Sequence, residues 1–437
     1  MSTSRSHVSG GRELGLVFTV ALVLRLAFLV VFDTAGGIEG KTPWAWACEP
    51  ACLADSLARG DGISDPFGRG TGPSAWLTPL YPGLLAASWK LFGGMTPAAA
   101  TAVYLVQAIV SALTAMGLFL LGRRMSGPLA ARLAGWGWAL HPTAAWYSIQ
   151  QVWDTTLVAG GLVAIVLALV SMGRGPRPGR ALAFGLGFGV LLLINPAPIG
   201  VLPVVLWYLA PGGGARAALL RIAAFGVGTL VVCAPWMARN MDVLGTSGMR
   251  SNLGVELRVG NNDASNGWHQ KSLHPGWNDE ESERMREMGE RAYAVWAGDR
   301  AKEWILEDPV RFVSLSLKRV QLVWLGVVPS ADTRSEGGTS AAADPKSWVR
   351  WIVHLITGIV GIAGLFVLGR GTPEGWLVRG IVVLFGAPYY ITHVLERYRF
   401  PMDPLLILAG AALVAALLSR LRPDGEVEVR PDARPAA

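Results

Sequence analysis

Five charged residues lie where long apolar segments of the chain end, and their types could support proton transfer and anion binding. Glu49 follows the first apolar segment, and Asp154 opens a later one within WYSIQQVWDTT. Glu396, Arg397 and Arg399 lie together in HVLERYRFPMDP, near the end of the chain. A carboxylate can take up a proton, and the guanidinium fork of arginine matches the oxygens of a phosphate. These three stretches form one site only if the fold brings them together.

The composition is that of a polytopic membrane protein. Of the 437 residues, 52% are hydrophobic and 16% are charged, whereas soluble domains carry about 25% charged residues. Apolar windows of about 20 residues, the length that spans a bilayer, recur along the chain. The net charge of +7 comes from short basic clusters beside these windows, a pattern typical of topology signals, so we expect no nucleic-acid partner. Three cysteines exclude a disulfide framework and a Cys-based zinc site.

The apolar windows predict about ten transmembrane helices with both termini in the cytoplasm, because the basic clusters favour that side. The first window lacks a convincing cleavage site, so it is interpreted as an uncleaved anchor rather than a signal peptide. The predicted spans are residues 14–33, 99–122, 127–148, 153–173, 180–194, 197–210, 218–238, 348–369, 375–394 and 401–420.

This topology divides the chain into cytoplasmic, transmembrane and external parts. Two further apolar pieces, 79–92 and 312–328, are interrupted by charged residues and are predicted as juxtamembrane helices at the outer interface. The predicted parts are a cytoplasmic N-terminus (1–13), a transmembrane module (14–238) that includes a first external loop (34–98), an external helical segment (239–347), the last transmembrane helices (348–422) and a cytoplasmic tail (423–437).

The external segment contains a predicted helix over 278–309. Asn278 and Glu281 have the spacing of a capping box at its start, and Pro309 disfavours helix in the residue before it. Residues 330–347 are small and polar and predict a mobile loop. The spans themselves hold few carboxylates, and the acids instead lie at the external ends of helices. A site at the boundary between water and lipid is what an enzyme with a lipid-linked substrate needs.

The order of these motifs resembles the GT-C glycosyltransferases. The first external loop carries an acid, then A-x-S-L-A-x-G-x-G and a Pro-Leu-Tyr-Pro helix; a second acid, an Asn-Pro break at 195–196, APWMARN and a late RYRFPMDP follow. The stretches SDPFGRGTGPSAWLTPLYP and RSNLGVELRVGNN are similar to those of bacterial family 39-type members, which are related to protein O-mannosyltransferases and lipid A aminoarabinose transferases. The resemblance implies an all-α, GT-C-like bundle.

The resemblance also implies a reaction and roles for individual residues. GT-C enzymes transfer a sugar from a polyprenyl-phosphate carrier to an acceptor. By position, Glu49 is the general base on the acceptor hydroxyl, although many relatives carry Asp there. Asp154 matches a second acid that in some relatives binds a divalent cation such as Mg²⁺ or Mn²⁺, or contacts the acceptor. The implied donor-phosphate ligands are Arg397 and Arg399, and the candidate substrate-lining residues are Trp76, Tyr81, Asn252 and Asn261.

These expectations imply a location and a set of partners. The enzyme would lie in the bacterial cytoplasmic membrane with its active site facing outside. It would take a hexose or pentose from a polyprenyl-phosphate donor and pass it to a glycan, lipid or protein. Two other functions stay open: a transporter or flippase of lipid-linked saccharides, and a non-catalytic scaffold in envelope assembly. A transporter would need charges at mid-depth in the membrane, and the spans contain few.

Several of the same residues have purely structural explanations. Glu49 could be a solvated loop acid, and Asp154 could cap its helix, because Asp is favoured at that position. Arg397 and Arg399 could anchor the outer interface. Arg25, which lies deep in the first span, is expected to pair internally. Trp44, Trp46 and Trp76 could form either a sugar-stacking surface or an interfacial aromatic belt. The stretch LRVGNNDASNGWHQ could hold an acceptor or form a turn. His269 and His274 are candidate metal ligands, but they lack the spacing of a ligand pair.

Overall fold

The computed structural model describes residues 3–328 and 345–421, and in that part of the chain it contains helices, turns and two isolated β-bridges but no strand. The predicted tail 423–437 and residues 330–344 of the predicted loop lie outside the described residues. The α-helices are α1 (Thr3–Val31), α2 (Pro43–Arg59), α3 (Leu80–Leu91), α4 (Pro97–Ser126), α5 (Pro128–Ala139), α6 (Pro142–Gln150), α7 (Thr155–Met172), α8 (Pro178–Ile194), α9 (Leu202–Leu209), α10 (Gly214–Leu244), α11 (Leu253–Gly260), α12 (Asp279–Met288), α13 (Glu290–Glu307), α14 (Pro309–Leu325), α15 (Pro345–Leu365), α16 (Pro373–Phe385), α17 (Ala387–Ile391) and α18 (Asp403–Arg420).

Six helices are long and apolar enough to cross a membrane, by length and composition alone. They lie in α1, α4, α7, α10, α15 and the segment that ends with α18. The other four predicted spans are also helical but shorter or broken: α8 has 17 residues, a 3₁₀ turn leads into α9, and breaks separate α5 from α6 and α16 from α17. These observations confirm the predicted all-α polytopic membrane fold.

The two pieces that were predicted to be juxtamembrane are helices α3 and α14, and the segment that was predicted to be external is helical. Its predicted helix is interrupted, however, because Gly289 adopts a φ of 79° and separates α12 from α13. The capping box is half correct. The Asn278 side chain accepts a hydrogen bond from the backbone N–H of Glu281 at 3.1 Å, but the Glu281 carboxylate accepts two hydrogen bonds from Arg258, at 2.7 and 3.0 Å. Charge pairing between helices thus replaces the reciprocal cap.

Four buried arginines among the described residues satisfy carbonyl groups at the ends of broken helices. Arg25 donates to the carbonyls of Trp138 and Ala139, the last residues of α5, at 3.3 and 3.1 Å. Arg221, Arg319 and Arg399 likewise donate to carbonyls at or near the ends of α9, α17 and α14. Helix ends leave carbonyls without partners, and a bilayer offers no water to satisfy them. Arg25 therefore pairs internally, as expected, but with carbonyls and a serine rather than an acid.

A parallel β-bridge joins two distant segments near the candidate site. The backbone N–H of Val394 donates to the carbonyl of Gly267 at 3.0 Å, and His269 donates back to Val394 at 3.4 Å. Asn261 extends this junction, since its side chain donates to the Ile391 carbonyl at 2.9 Å and accepts from Arg319 at 3.1 Å. The segment after α11 is thereby fixed against the segment after α17.

Candidate functional site

Glu49 lies directly after a sharp kink in α2. Ala47 and Cys48 leave the helical region, and Cys48 has a φ of 52° and a ψ of −134°, which non-glycine residues rarely adopt. After the kink, a new helical run starts at Glu49. Only 8% of the surface of Glu49 is exposed. Burial raises the pKa of the Glu49 carboxyl, and the positive charges of Arg397 and Arg250 oppose part of that effect. Glu49 is therefore not a solvated loop acid.

Three histidines from two distant segments form a cluster beside Glu49. Nε2 of His274 lies 3.7 Å from Oε1 of Glu49. The ring centroid of His269 is 5.0 Å from that of His274 and 4.8 Å from that of His393. Burial lowers the pKa of His269 to about 4 and that of His274 well below its usual value. Both imidazoles are thus neutral near pH 7 and add no positive charge to the site.

Glu256 is a second carboxylate of this cluster. One oxygen accepts a hydrogen bond from the Asn252 side chain at 2.8 Å, and the other lies 3.5 Å from Nδ1 of His393. Burial, together with the negative charge of Glu49, raises the pKa of Glu256 to about 7. Nε2 of His393 is 2.9 Å from the Tyr398 hydroxyl. Glu256 is thus a site acid that titrates in the neutral range.

Asp154 faces the site rather than its own helix. The residue stands at the N-cap position of α7, but its side chain makes no capping hydrogen bond. Oδ2 instead accepts from the Asn195 side chain at 2.8 Å and lies 3.5 Å from Nη2 of Arg250. The capping explanation is therefore wrong for Asp154. Arg250 joins this acid to the rest of the cluster, because its charge also acts on Glu49 and Glu256.

Arg397 is a cation of the site that has no hydrogen-bond or ion-pair partner among the described residues. Its guanidinium lies over the Trp153 ring, 3.9 Å from the centroid. Within residues 3–328 and 345–421, Arg397 makes no hydrogen bond and no ion pair. Its charge acts on Glu49, Glu256 and His269, which belong to three different segments. The aromatic face holds the guanidinium carbon, so the N–H groups are free to bind an anion.

Arg399 does not lie at the site, although it was predicted together with Arg397 as a phosphate ligand. Its side chain is 1% exposed and forms an ion pair with Asp403, at 2.9 Å. The remaining donors bind the carbonyls of Trp324 at 3.1 Å and His354 at 2.8 Å. With these partners, Arg399 links α14, α15 and α18.

The four candidate lining residues support the site from behind. Trp76 is buried, and its ring packs against His274 at 5.4 Å. Tyr81 donates to Gln107 at 2.8 Å, which in turn donates to the carbonyls of Ser148 and Gln151, just before Asp154. Asn252 orients Glu256, and Asn261 belongs to the junction with Arg319 described above. Each of the four is buried, and each supports the site by holding another residue of the protein in place.

The acids of the site do not fit a divalent cation in this arrangement. Oδ2 of Asp154 already faces the guanidinium of Arg250 and the amide of Asn195. Among the described residues, no group of three or more His, Cys, Asp or Glu side chains is arranged to hold a metal ion.

Sequence reasoning missed Arg250, Glu256 and His393. Arg250 and Glu256 both lie in the stretch RSNLGVELRVGNN, and His393 is four residues before Arg397. The i, i+4 spacing of Asn252, the N-cap residue of α11, and Glu256 was an available signal, since residues four apart share one face of a helix. The pairing of the 267–269 and 394 segments had no local signal, because it joins residues more than a hundred positions apart.

The fold is similar to those of archaeal oligosaccharyltransferases. The apo structure of the Archaeoglobus fulgidus oligosaccharyltransferase matches with a TM-score of 0.53 at 12% identity, over 93% of this chain and 51% of that chain. AglB from the same organism, in complex with an inhibitory peptide and a dolichol-phosphate, matches with a TM-score of 0.54 at 11% identity, over 93% and 50%. The chain thus has a fold similar to that of these enzymes, and it spans about half of their length.

ArnT from Cupriavidus metallidurans, bound to undecaprenyl phosphate, matches at 15% identity over 93% of this chain and 78% of that chain, with a TM-score of 0.37. No protein-family profile matches the chain. No curated protein sequence matches it either.

Proposed function

We propose that the chain is a membrane glycosyltransferase that moves a hexose or pentose from a polyprenyl-phosphate donor to an acceptor at the outer face of the cytoplasmic membrane. The observation that carries the proposal is the convergence of Glu49, with its raised pKa, and Arg397, whose guanidinium is free among the described residues. A base and an anion ligand close enough for their charges to interact are what displacement of a phosphate by a hydroxyl requires. The GT-C fold supports the same conclusion, since its archaeal relatives are oligosaccharyltransferases.

In the proposed reaction, the acceptor hydroxyl oxygen attacks the anomeric carbon of the donor sugar. The bond between that carbon and the phosphate oxygen breaks, and the hydroxyl proton passes to the Glu49 carboxylate. A positioned base contributes about 10²–10⁴-fold to such a step, and a base with a raised pKa takes the proton more readily. The neutral state of His269 and His274 leaves Glu49 without a competing cation in the histidine cluster.

Arg397 would bind the phosphate of the donor and stabilise the charge that develops as the polyprenyl phosphate leaves. The guanidinium is held over Trp153, so it needs little rearrangement when the transition state forms. Arg250 neutralises Asp154 and prevents that buried acid from repelling the phosphate. Glu256 adds a negative charge only above about pH 7.

The test measures release of polyprenyl phosphate, which every such transfer produces whatever the acceptor is. Purified protein in liposomes is given a panel of polyprenyl-phosphate hexoses and pentoses together with an extract of bacterial envelope, and the released lipid phosphate is quantified by mass spectrometry. We expect Glu49→Gln to lower the release rate by about 10²-fold or more while donor binding is retained, because glutamine keeps the shape but cannot take a proton.

The matched control is Asp61→Asn, which removes an exposed acid from the same loop and should leave the rate unchanged. Release by Glu49→Gln at the wild-type rate would exclude Glu49 as the base. Transbilayer movement of the donor by the wild type, without any release of polyprenyl phosphate, would exclude the transferase and favour a flippase.

A further inference from the structure

We infer that His274 is a positioning residue that holds the Glu49 carboxylate through a fixed, neutral Nε2–H group. The inference rests on the proposed function for its catalytic meaning, whereas the geometry of the pair stands independently of it. His274 lies in the segment between α11 and α12, about 225 positions from Glu49 in sequence, and only the fold brings them together.

The tautomer of His274 follows from one backbone hydrogen bond. The N–H of Gly276 points at Nδ1 of His274 at 3.0 Å. A backbone N–H can only donate, so Nδ1 must accept, and the proton of the neutral ring is on Nε2. This is the nitrogen that lies 3.7 Å from Oε1 of Glu49. Protonation of Nδ1 would direct two N–H groups at each other, and burial further opposes a charged ring.

Packing leaves the His274 ring little freedom to turn. Trp76 packs edge-to-face against it at 5.4 Å and 90°, and Phe67 does the same at 5.6 Å and 77°. Phe67 and Trp76 also contact each other, at 4.9 Å. A side chain at Gly276 would clash with Trp44, so the residue that donates to Nδ1 is held closely as well. The direction of Nε2–H is thus set by aromatic side chains and a backbone amide.

The fixed N–H has two consequences for Glu49. It favours the ionised carboxylate, since a donor near a carboxylate stabilises its charge. It also restrains Oε1, and with it the orientation of the whole carboxylate. At 3.7 Å the contact is longer than a hydrogen bond, and catalytic contacts of this kind tighten when substrate binds.

The titratable and charged groups around Glu49 are Cys48 and Cys52 on α2, Arg250, Glu256 on α11, His269, Lys271 and His274 of the following segment, and Arg397.

A measurement of Glu49 protonation tests the inference without using activity. A hydrophobic carbodiimide modifies protonated carboxyls in apolar surroundings, and mass spectrometry of the peptide that contains Glu49 gives the extent of labelling at each pH. In His274→Phe and His274→Asn, neither of which can present a donor at the Nε2 position, we expect the labelling midpoint of Glu49 to rise by about one pH unit. His274→Gln presents an amide N–H near that position and should keep the wild-type midpoint.

The control variant is His269→Phe, which removes the neighbouring buried imidazole and should not move the midpoint. The Asn and Gln variants are a matched pair, so the comparison survives if the Phe variant does not fold. Unchanged midpoints in Phe and Asn would overturn the inference, and so would an equal shift in all three His274 variants, which would indicate a loss of packing. The labelling result does not depend on glycosyl transfer, so failure of the proposed function would appear separately, as absence of polyprenyl-phosphate release by the wild type.

Discussion

The two arginines of the RYR motif should give opposite results when each is replaced by alanine. Arg399→Ala leaves the Asp403 carboxylate buried without its partner, and it removes the donors to the carbonyls of Trp324 and His354. Breaking a buried ion pair in this way costs about 3–5 kcal/mol. That is a large part of the 5–15 kcal/mol by which proteins are typically stable. For a chain of 437 residues, we therefore expect the melting temperature to fall by about 3–5 °C.

Arg397→Ala should instead leave the fold almost unchanged. Within the described residues Arg397 has only its contact with the Trp153 and Tyr398 rings, and such a contact contributes about 0.5–1 kcal/mol at exposed sites. The predicted loss lies in donor binding. A hydrogen bond from a charged group to phosphate is worth about 1.5–3 kcal/mol, so donor affinity should fall about 10- to 100-fold.

Both effects can be measured on purified protein in detergent. A dye that becomes fluorescent on reaction with thiols reports unfolding through the buried Cys52 and Cys233, and binding of a polyprenyl-phosphate sugar is measured on the same samples. A double variant, Arg399→Leu with Asp403→Leu, should recover part of the lost stability, because no charge is then left buried. A stable Arg399→Ala protein with weakened donor binding would refute this division of roles.

Two further results are expected from solution conditions. Turnover should fall as the pH drops through the raised pKa of Glu49, because the base must be ionised. The KM for the donor should rise above about pH 7, because Glu256 becomes negative there. If Glu256→Gln shows the same rise in KM with pH, Glu256 is not its cause. Treatment with a chelator should leave polyprenyl-phosphate release unchanged, since the acids do not fit a divalent cation; restoration of a lost rate by added Mg²⁺ or Mn²⁺ would contradict that expectation.

The membrane architecture was predictable because it depends on composition and length. Each predicted span is helical, and α3 and α14 coincide with the two predicted juxtamembrane pieces. The breaks between α5 and α6 and between α16 and α17 were not predicted. Pro142 explains the first break, since the residue before it, His141, is extended. Buried arginines such as Arg25 stabilise these breaks from other helices, and no local pattern reveals that partnership.

Residues of the site could be predicted only where a motif carried them. Glu49 and Arg397 were predicted, and both face the same group of side chains in the fold. Arg399, two positions further on, was wrongly grouped with Arg397. The chain between them passes from one 3₁₀ turn into the next, so the two side chains lie in different surroundings. Residue type and closeness in sequence therefore did not distinguish a half-buried arginine without an ion-pair partner among the described residues from one that holds helices together.

The backbone conformation of Cys48 explains why the sequence could suggest Glu49 as the base but could not show where its side chain lies in the fold. Most residues of PWAWACEPACLADSLAR favour helix. In one continuous helix from residue 43 to 59, the direction of each side chain would follow from its position in the sequence. The structure breaks that helix at Ala47 and Cys48, with Pro50 two residues beyond the second of them. Pro50 lacks an N–H, and the first turn of a helix has no partner for that group, so Pro50 suits the first turn of the new helical run. The kink turns Glu49 towards His274 and the charges of Arg250 and Arg397. A non-glycine residue held at a φ of 52° costs about 1–3 kcal/mol and persists where surrounding packing requires it. That this cost falls directly before the proposed base is an argument, independent of any family likeness, that the position of Glu49 matters to function.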